Sequence, residues 1–337
     1  MKNGFGKSKI QKCASALMAA LLAALCLSGC NGSKEVSNEN GGSSGDDKIS
    51  VVATIFPEYD WAREIIGDNT DNVELTYLLE NGVDLHSYQP TADDMVKISD
   101  CDIFIYVGGS SDGWVEDAVK NAENKNMKVI DLMDVLGSSV KTEETKEGMQ
   151  EDEEEEDEDE YDEHVWLSVK NAELFCTEIA FALSDADPDN KDDYNKNLKD
   201  YIIKLNKLDG AFSSLANKAE NKTIVVADRY PFRYFTDDYG LDYYAAFAGC
   251  SSETDASFET VAFLAKKIDE LGVNTVFILE NSDNSISEAV IRSTKKKDQQ
   301  AAVLNSIQSV TKEQIDGGIT YLSLMQENYD VLKTVLK

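Results

Sequence analysis

The 337-residue sequence contains only two histidines, and both stand where coordination chemistry is possible. His86 lies in Asp84-Leu85-His86-Ser87-Tyr88-Gln89-Pro90-Thr91, and His164 in Asp162-Glu163-His164-Val165-Trp166-Leu167-Ser168. Imidazole is the most versatile transition-metal ligand among side chains. A lone histidine reads equally well as a satisfied core or surface residue. Two histidines, each beside acids and each in a loop following a strand, point instead to a shared site. Other chemistry lacks its signals: there is no His-Glu-x-x-His helix for a metalloprotease and no Gly-x-Ser-x-Gly elbow for a serine hydrolase.

These loops need elements to hold them. Apolar, β-branched runs predict strands at 49–56, 73–79, 101–107, 128–132, 223–227, 242–247, 275–279 and 302–304. Between them, apolar residues at helical spacing predict helices at 59–66, 91–98, 114–122, 165–183, 232–239, 258–271, 285–294 and 319–336. Strand–helix alternation implies α/β architecture with doubly wound parallel sheets. A longer helix from about Pro188 to Ala219 exceeds what one strand–helix unit needs, being roughly 45 Å at 1.5 Å per residue. The expected organisation is therefore an N-terminal lobe over 48–186, a linking helix over 187–221 and a C-terminal lobe over 222–337. Ligand sites in such sheets gather at the carboxyl ends of strands.

Residues 142–163 interrupt the pattern with fifteen Asp or Glu and no Val, Ile, Leu or Phe. Such a segment has no core to bury, so it reads as an extended, solvated surface insertion, either collecting cations or merely solvated. At the other end, Lys2, Lys7, Lys9 and Lys12 precede an apolar stretch from Cys13 to Leu27, then Leu27-Ser28-Gly29-Cys30. This is the layout of a secretory signal over 1–29, with a Gly, Ser and Asn-rich tether over 30–47. Leu-Ser-Gly-Cys resembles the bacterial lipobox, which makes Cys30 the lipidation site. An ordinary signal peptide or an uncut short anchor is the alternative.

The formal net charge is −32, and removing the leader's four lysines makes it about −36. A nucleic-acid partner would require a basic face, and anionic headgroups are repelled; cations are favoured. Cys101, Cys176 and Cys250 remain after the leader, read as small buried hydrophobes.

The motif from Asp84 to Thr91 is similar to Asp-x-His-x-Tyr-x-Pro-Thr, and His164, Trp166 and Leu167 to His-x-Trp-Leu. On these, with the opening strand Val51–Phe56, Tyr239-Gly240-Leu241 and Val276–Glu280, residues 48–337 resemble the metal-binding lipoproteins of zinc and manganese ABC importers, the cluster A-I substrate-binding proteins. The resemblance implies two α/β lobes bridged by a long helix, with the metal held between them. It implies a monomer, lipid-anchored outside the cell membrane, that delivers its ion to an ABC permease. It also implies His86 and His164 as ligands. The family's third-ligand position falls on Arg229, which cannot bind a cation, so Asp228 beside it is the substitute. Its fourth falls on Asn305, and Glu280, following a second-lobe strand, is a further candidate. Two imidazoles with oxygen donors suit zinc, while a more oxygen-rich set would suit manganese. A metal-dependent hydrolase and an adhesin or anion-binding lipoprotein stay open as alternatives, the latter through the segment Arg229–Arg233.

Overall fold

The β-branched run that opens the folded part forms β1 (Ile49–Ala53), and Pro57 helps start α1 (Phe56–Ile66) directly after it. Proline suits a helix's first turn because the N–H it lacks would have no partner there. The computed structural model describes residues 48–150, 160–251 and 255–336; the signal segment, the tether and Cys30 lie outside them. β2 (Val73–Tyr77), α2 (Ala92–Asp100), β3 (Ile103–Tyr106), α3 (Val115–Asn121), β4 (Lys128–Asp131), α4 (Leu132–Leu136) and α5 (Val169–Ala186) complete the first lobe. Its four strands are parallel, in the order β2-β1-β3-β4.

The long α6 (Lys191–Lys218) follows. Then come β5 (Thr223–Arg229), α7 (Arg233–Tyr239), β6 (Asp242–Phe247), α8 (Phe258–Leu271), β7 (Thr275–Ile278), α9 (Ser285–Ser293), β8 (Gln300–Val303), α10 (Lys312–Asp316) and α11 (Tyr321–Val335). The second sheet is again parallel, in the matching order β6-β5-β7-β8. The molecule thus has the expected architecture: two doubly wound α/β lobes and one long helix. In each sheet the connections after the two central strands lead to opposite edges. A crevice therefore opens at the carboxyl ends of β1 and β3 in one lobe, and of β5 and β7 in the other.

Tyr194, Tyr201, Leu205, Leu208, Phe212 and Ala216 form the buried stripe of α6. It packs along α5 and α1 of the first lobe before reaching α7 and α11. α11 returns to the first lobe: Tyr321 N–H donates to Asp60 at 2.7 Å, its hydroxyl donates to the Trp166 carbonyl at 2.8 Å, and its ring lies 5.1 Å from Trp61. Trp166 Nε1 donates to the Ser306 carbonyl at 2.8 Å and Tyr77 Oη to the Val310 carbonyl at 3.0 Å, so the lobes meet through buried bonds.

Two short helices depart from the expected pattern. Leu132, expected in a strand, opens α4, because the Asp131 carboxylate accepts from Asp134 N–H and turns the chain as β4 ends. α10 starts at a Thr311/Gln314 capping box. The flanks of the acidic insertion also differ from a free, solvated loop. Gln150 N–H donates to the Ala246 carbonyl at 2.9 Å, Lys146 pairs with Asp242, Arg233 pairs with Glu144, and Met149 is buried. Local cations and strand-edge carbonyls overcome the repulsion that the acid count alone would predict. Among the described residues, no helix is long and apolar enough to cross a membrane.

Candidate metal centre

His86 and His164 are built by the same local device. The Asp84 carboxylate accepts from His86 N–H at 3.0 Å, and the Asp162 carboxylate accepts from His164 N–H at 2.9 Å. An aspartate two residues upstream thus bends each loop so that its imidazole turns inward. The outer ring nitrogens are then engaged: His164 Nδ1 faces Asp162 Oδ1 at 3.1 Å, and His86 Nδ1 faces Ser111 Oγ at 2.9 Å. Behind His86 stands Glu163, wholly buried, with Oε2 at 3.6 Å from Nδ1 and no hydrogen-bond partner for that oxygen among the described residues. Its other oxygen accepts from Ser111 N–H at 2.8 Å. Gly109 makes room for it, at φ +85°, where an added Cβ would lie 2.4 Å from Glu163 Oε1.

The result is two Nε2 atoms facing each other at 3.2 Å. With Nδ1–H of His164 given to a carboxylate, its Nε2 carries a lone pair. Two imidazole nitrogens on one tetrahedral zinc, each about 2.0–2.1 Å from it, would be roughly 3.3–3.4 Å apart. The spacing fits two ligands of one ion.

The third member is Cys250, in the loop after β6. One ligand atom from each of His86, His164 and Cys250 can be chosen so that all lie within 4.8 Å of one another. No carboxylate joins them in such a group among the described residues. Gly249 permits the approach, since a Cβ there would meet the Tyr230 carbonyl at 2.9 Å and His164 Cε1 at 3.0 Å. Glu143, at the root of the acidic insertion, holds the loop by accepting from Cys250 N–H at 2.8 Å. Buried-hydrophobe behaviour describes Cys101 and Cys176, which are free and buried, but Cys250 lines the cleft. Its position just beyond a second-lobe strand end was the available sequence signal.

The other expected ligands stand apart from this trio. Asp228, the penultimate residue of β5, uses both oxygens structurally, accepting from Arg229 N–H at 2.9 Å and from Leu279 N–H at 3.2 Å. It thereby ties β5 to the end of β7. Glu280 accepts from Ser306 N–H and Oγ, each at 2.8 Å. Both acids line the cleft without reaching the histidines. Asn305 accepts from Ile307 N–H at 2.7 Å and lines separate hollows. Arg229 crosses between lobes, donating from Nη2 to Asp84 Oδ2 at 2.6 Å.

Burial pushes the His86 imidazole down to about 3, helped by the charges of His164 and Arg229 and opposed by Asp84. It is thus neutral and ready to coordinate at physiological pH. Burial alone would lift the Asp84 carboxyl, but Arg229 and His86 hold it below the ordinary range. Burial, with Glu143, Asp162 and Glu163 adding, pushes the Cys250 thiol well up, so a metal bound there would itself have to drive off the proton. A cavity of about 580 Å³ adjoins the trio.

Residues 51–335 match the family described as ZnuA, zinc-uptake complex component A, periplasmic. The chain is 33% identical over 306 residues to the high-affinity zinc uptake system protein ZnuA of Bacillus subtilis, covering 89% of this chain and 91% of that protein. It is 31% identical over 321 residues to the zinc-binding lipoprotein AdcA of Streptococcus pneumoniae, covering 94% of this chain but only 60% of that longer relative. In structure it is similar to the metal-dependent lipoprotein YcdH from Bacillus subtilis, with a TM-score of 0.70 and 28% identity over 86% of this chain and 99% of that one.

Proposed function

This chain belongs to the ZnuA family of periplasmic zinc-uptake components, and from that membership we propose that it is the zinc-capturing lipoprotein of an ABC importer. Zinc is held between the lobes by His86, His164 and Cys250, and the loaded protein docks on a permease. Cys30 carries the lipid that keeps it at the outer face of the cell membrane. It binds and delivers; no bond of a substrate is broken.

The observation that carries this reading is the 3.2 Å separation of the two Nε2 atoms, each imidazole buttressed from behind by Asp162 or Ser111. A thiolate third donor favours zinc over manganese, which prefers hard oxygen ligands. Asp228 and Glu280 line the cleft and tie strand ends together within the second lobe, and the acidic insertion raises the local concentration of cations.

Calorimetric titration of the metal-stripped protein with zinc, then manganese, tests the reading. One tight zinc equivalent is expected. His86→Ala or His164→Ala should each weaken it at least about a hundredfold, beyond the 10–100-fold typical of residues that only orient ligands. Replacing the acids of 151–159 by their amides should change it little. Weak, multiple binding that disappears with those acids would refute the cleft site.

A further inference from the structure

The cleft offers far more room than one ion needs. Its volume of about 580 Å³ lies within the roughly 300–1,000 Å³ typical of small-molecule pockets, whereas a water molecule occupies about 30 Å³. Its wall mixes charges: the carboxylates of Asp84, Asp228, Glu280 and Asp283 line it, each already accepting hydrogen bonds from protein donors. Arg229 lines it with a permanent positive charge, and only Nη2 of its several donors is committed to a side chain among the described residues. Gln308, 2% exposed, lines the same space, and its Oε1 lacks a hydrogen-bond partner among the described residues. A buried amide oxygen left without a donor is costly, so this atom calls for a donor from water or from a bound ligand. Three protein donors, moreover, leave one position of a tetrahedral zinc open.

We propose that the cargo is zinc already held by a small, carboxylate-bearing chelator of about amino-acid size. The chelator fills the open position, its carboxylate lies against Arg229, and an N–H or O–H group donates to Gln308. This rests on the metal-capture reading above and names the form in which the metal arrives. Asp84 offsets part of the Arg229 charge through Nη2, and the remaining guanidinium donors are the recognition group for the chelator's carboxylate.

The test titrates the metal-stripped full chain with zinc chloride, with zinc and L-histidine, and with zinc and citrate. Isotope-labelled chelator retained after ultrafiltration is counted in each mixed arm. One chelator per zinc is expected from one mixed arm, with apparent affinity at equal free zinc at least tenfold tighter than for zinc chloride. Retention of histidine assigns an amino-acid chelator, and retention of citrate a hydroxycarboxylate. Arg229→Gln and Gln308→Leu, each checked for cooperative melting, should lose the tenfold gain; a gain that persists in both overturns the assignment. One tight zinc equivalent with neither chelator retained overturns the proposal and leaves metal capture standing. No tight zinc in any arm overturns both.

Discussion

Replacing Arg229 and Asp84 by alanine, singly and together, measures how much of the lobe-to-lobe hold is electrostatic. Arg229 ends β5 in one lobe and Asp84 precedes His86 in the other, with Nη2 and Oδ2 2.6 Å apart. An exposed ion pair contributes about 0–1 kcal/mol, whereas hydrogen bonds to charged groups contribute about 1.5–3 kcal/mol. The two side chains are 24% and 21% exposed, so solvent screens the pair only partly. The coupling energy from the double-mutant cycle should therefore be about 1.5–2 kcal/mol, the lower part of the charged-group range. Arg229→Ala alone should cost more than that coupling, since it strands the Asp84 carboxylate in a largely covered place. Urea unfolding of the four metal-free proteins gives the cycle, and repeating it in high salt should erode the coupling only slightly. A coupling below about 0.5 kcal/mol, or one abolished by salt, would mark an ordinary surface pair and refute the latch.

Cobalt-loaded protein should show a thiolate-to-metal charge-transfer band in the near ultraviolet that Cys250→Ser removes; a band unchanged by the substitution would take Cys250 out of the ligand set. Burial lifts the carboxyls of Glu58 to about 8, Asp112 to about 7 and Asp60 to about 6. Acids raised in the folded state stabilise it fully below their unfolded value of about 4, and lose that contribution as pH rises through the folded values. The metal-free protein should consequently melt lower at about pH 8.5 than at about pH 5.5, and the reverse order would contradict these burial effects. Gly210 lies exposed within α6 with nothing within 4 Å of an added Cβ, so Gly210→Ala should raise stability by about 0.5–1 kcal/mol in urea unfolding.

The fold was legible because buried parallel strands leave long apolar signatures. All eight expected strands occur, and α8 occupies the expected Phe258–Leu271. Elements of five residues are too short to display a period, which is why α4 and α10 escaped although the Thr311/Gln314 pair announced a helix start. Within the site, the paired Asp-x-His segments were legible because each fixes its own loop. What charge counting could not reveal was that Glu143, Glu144 and Lys146 would be spent locally, on Cys250 N–H, Arg233 and Asp242.

Ligand identity was the least legible part, for a reason the second sheet makes plain. β5 and β6 are neighbours, with Arg229 in register opposite Phe247, and Cys250 follows three residues beyond that partner. Adjacent strands are about 4.8 Å apart. Cys250, one strand away from the arginine at the end of β5, therefore lies within reach of the histidines with only a short loop between. Reading along the chain from Arg229 leads to Asp228, whose carboxylate accepts from Leu279 N–H across the sheet. Proximity in a parallel sheet runs across strands at their carboxyl ends. On the proposed reading the third donor comes from the end of the adjacent strand, and Arg229 bridges the lobes through Asp84.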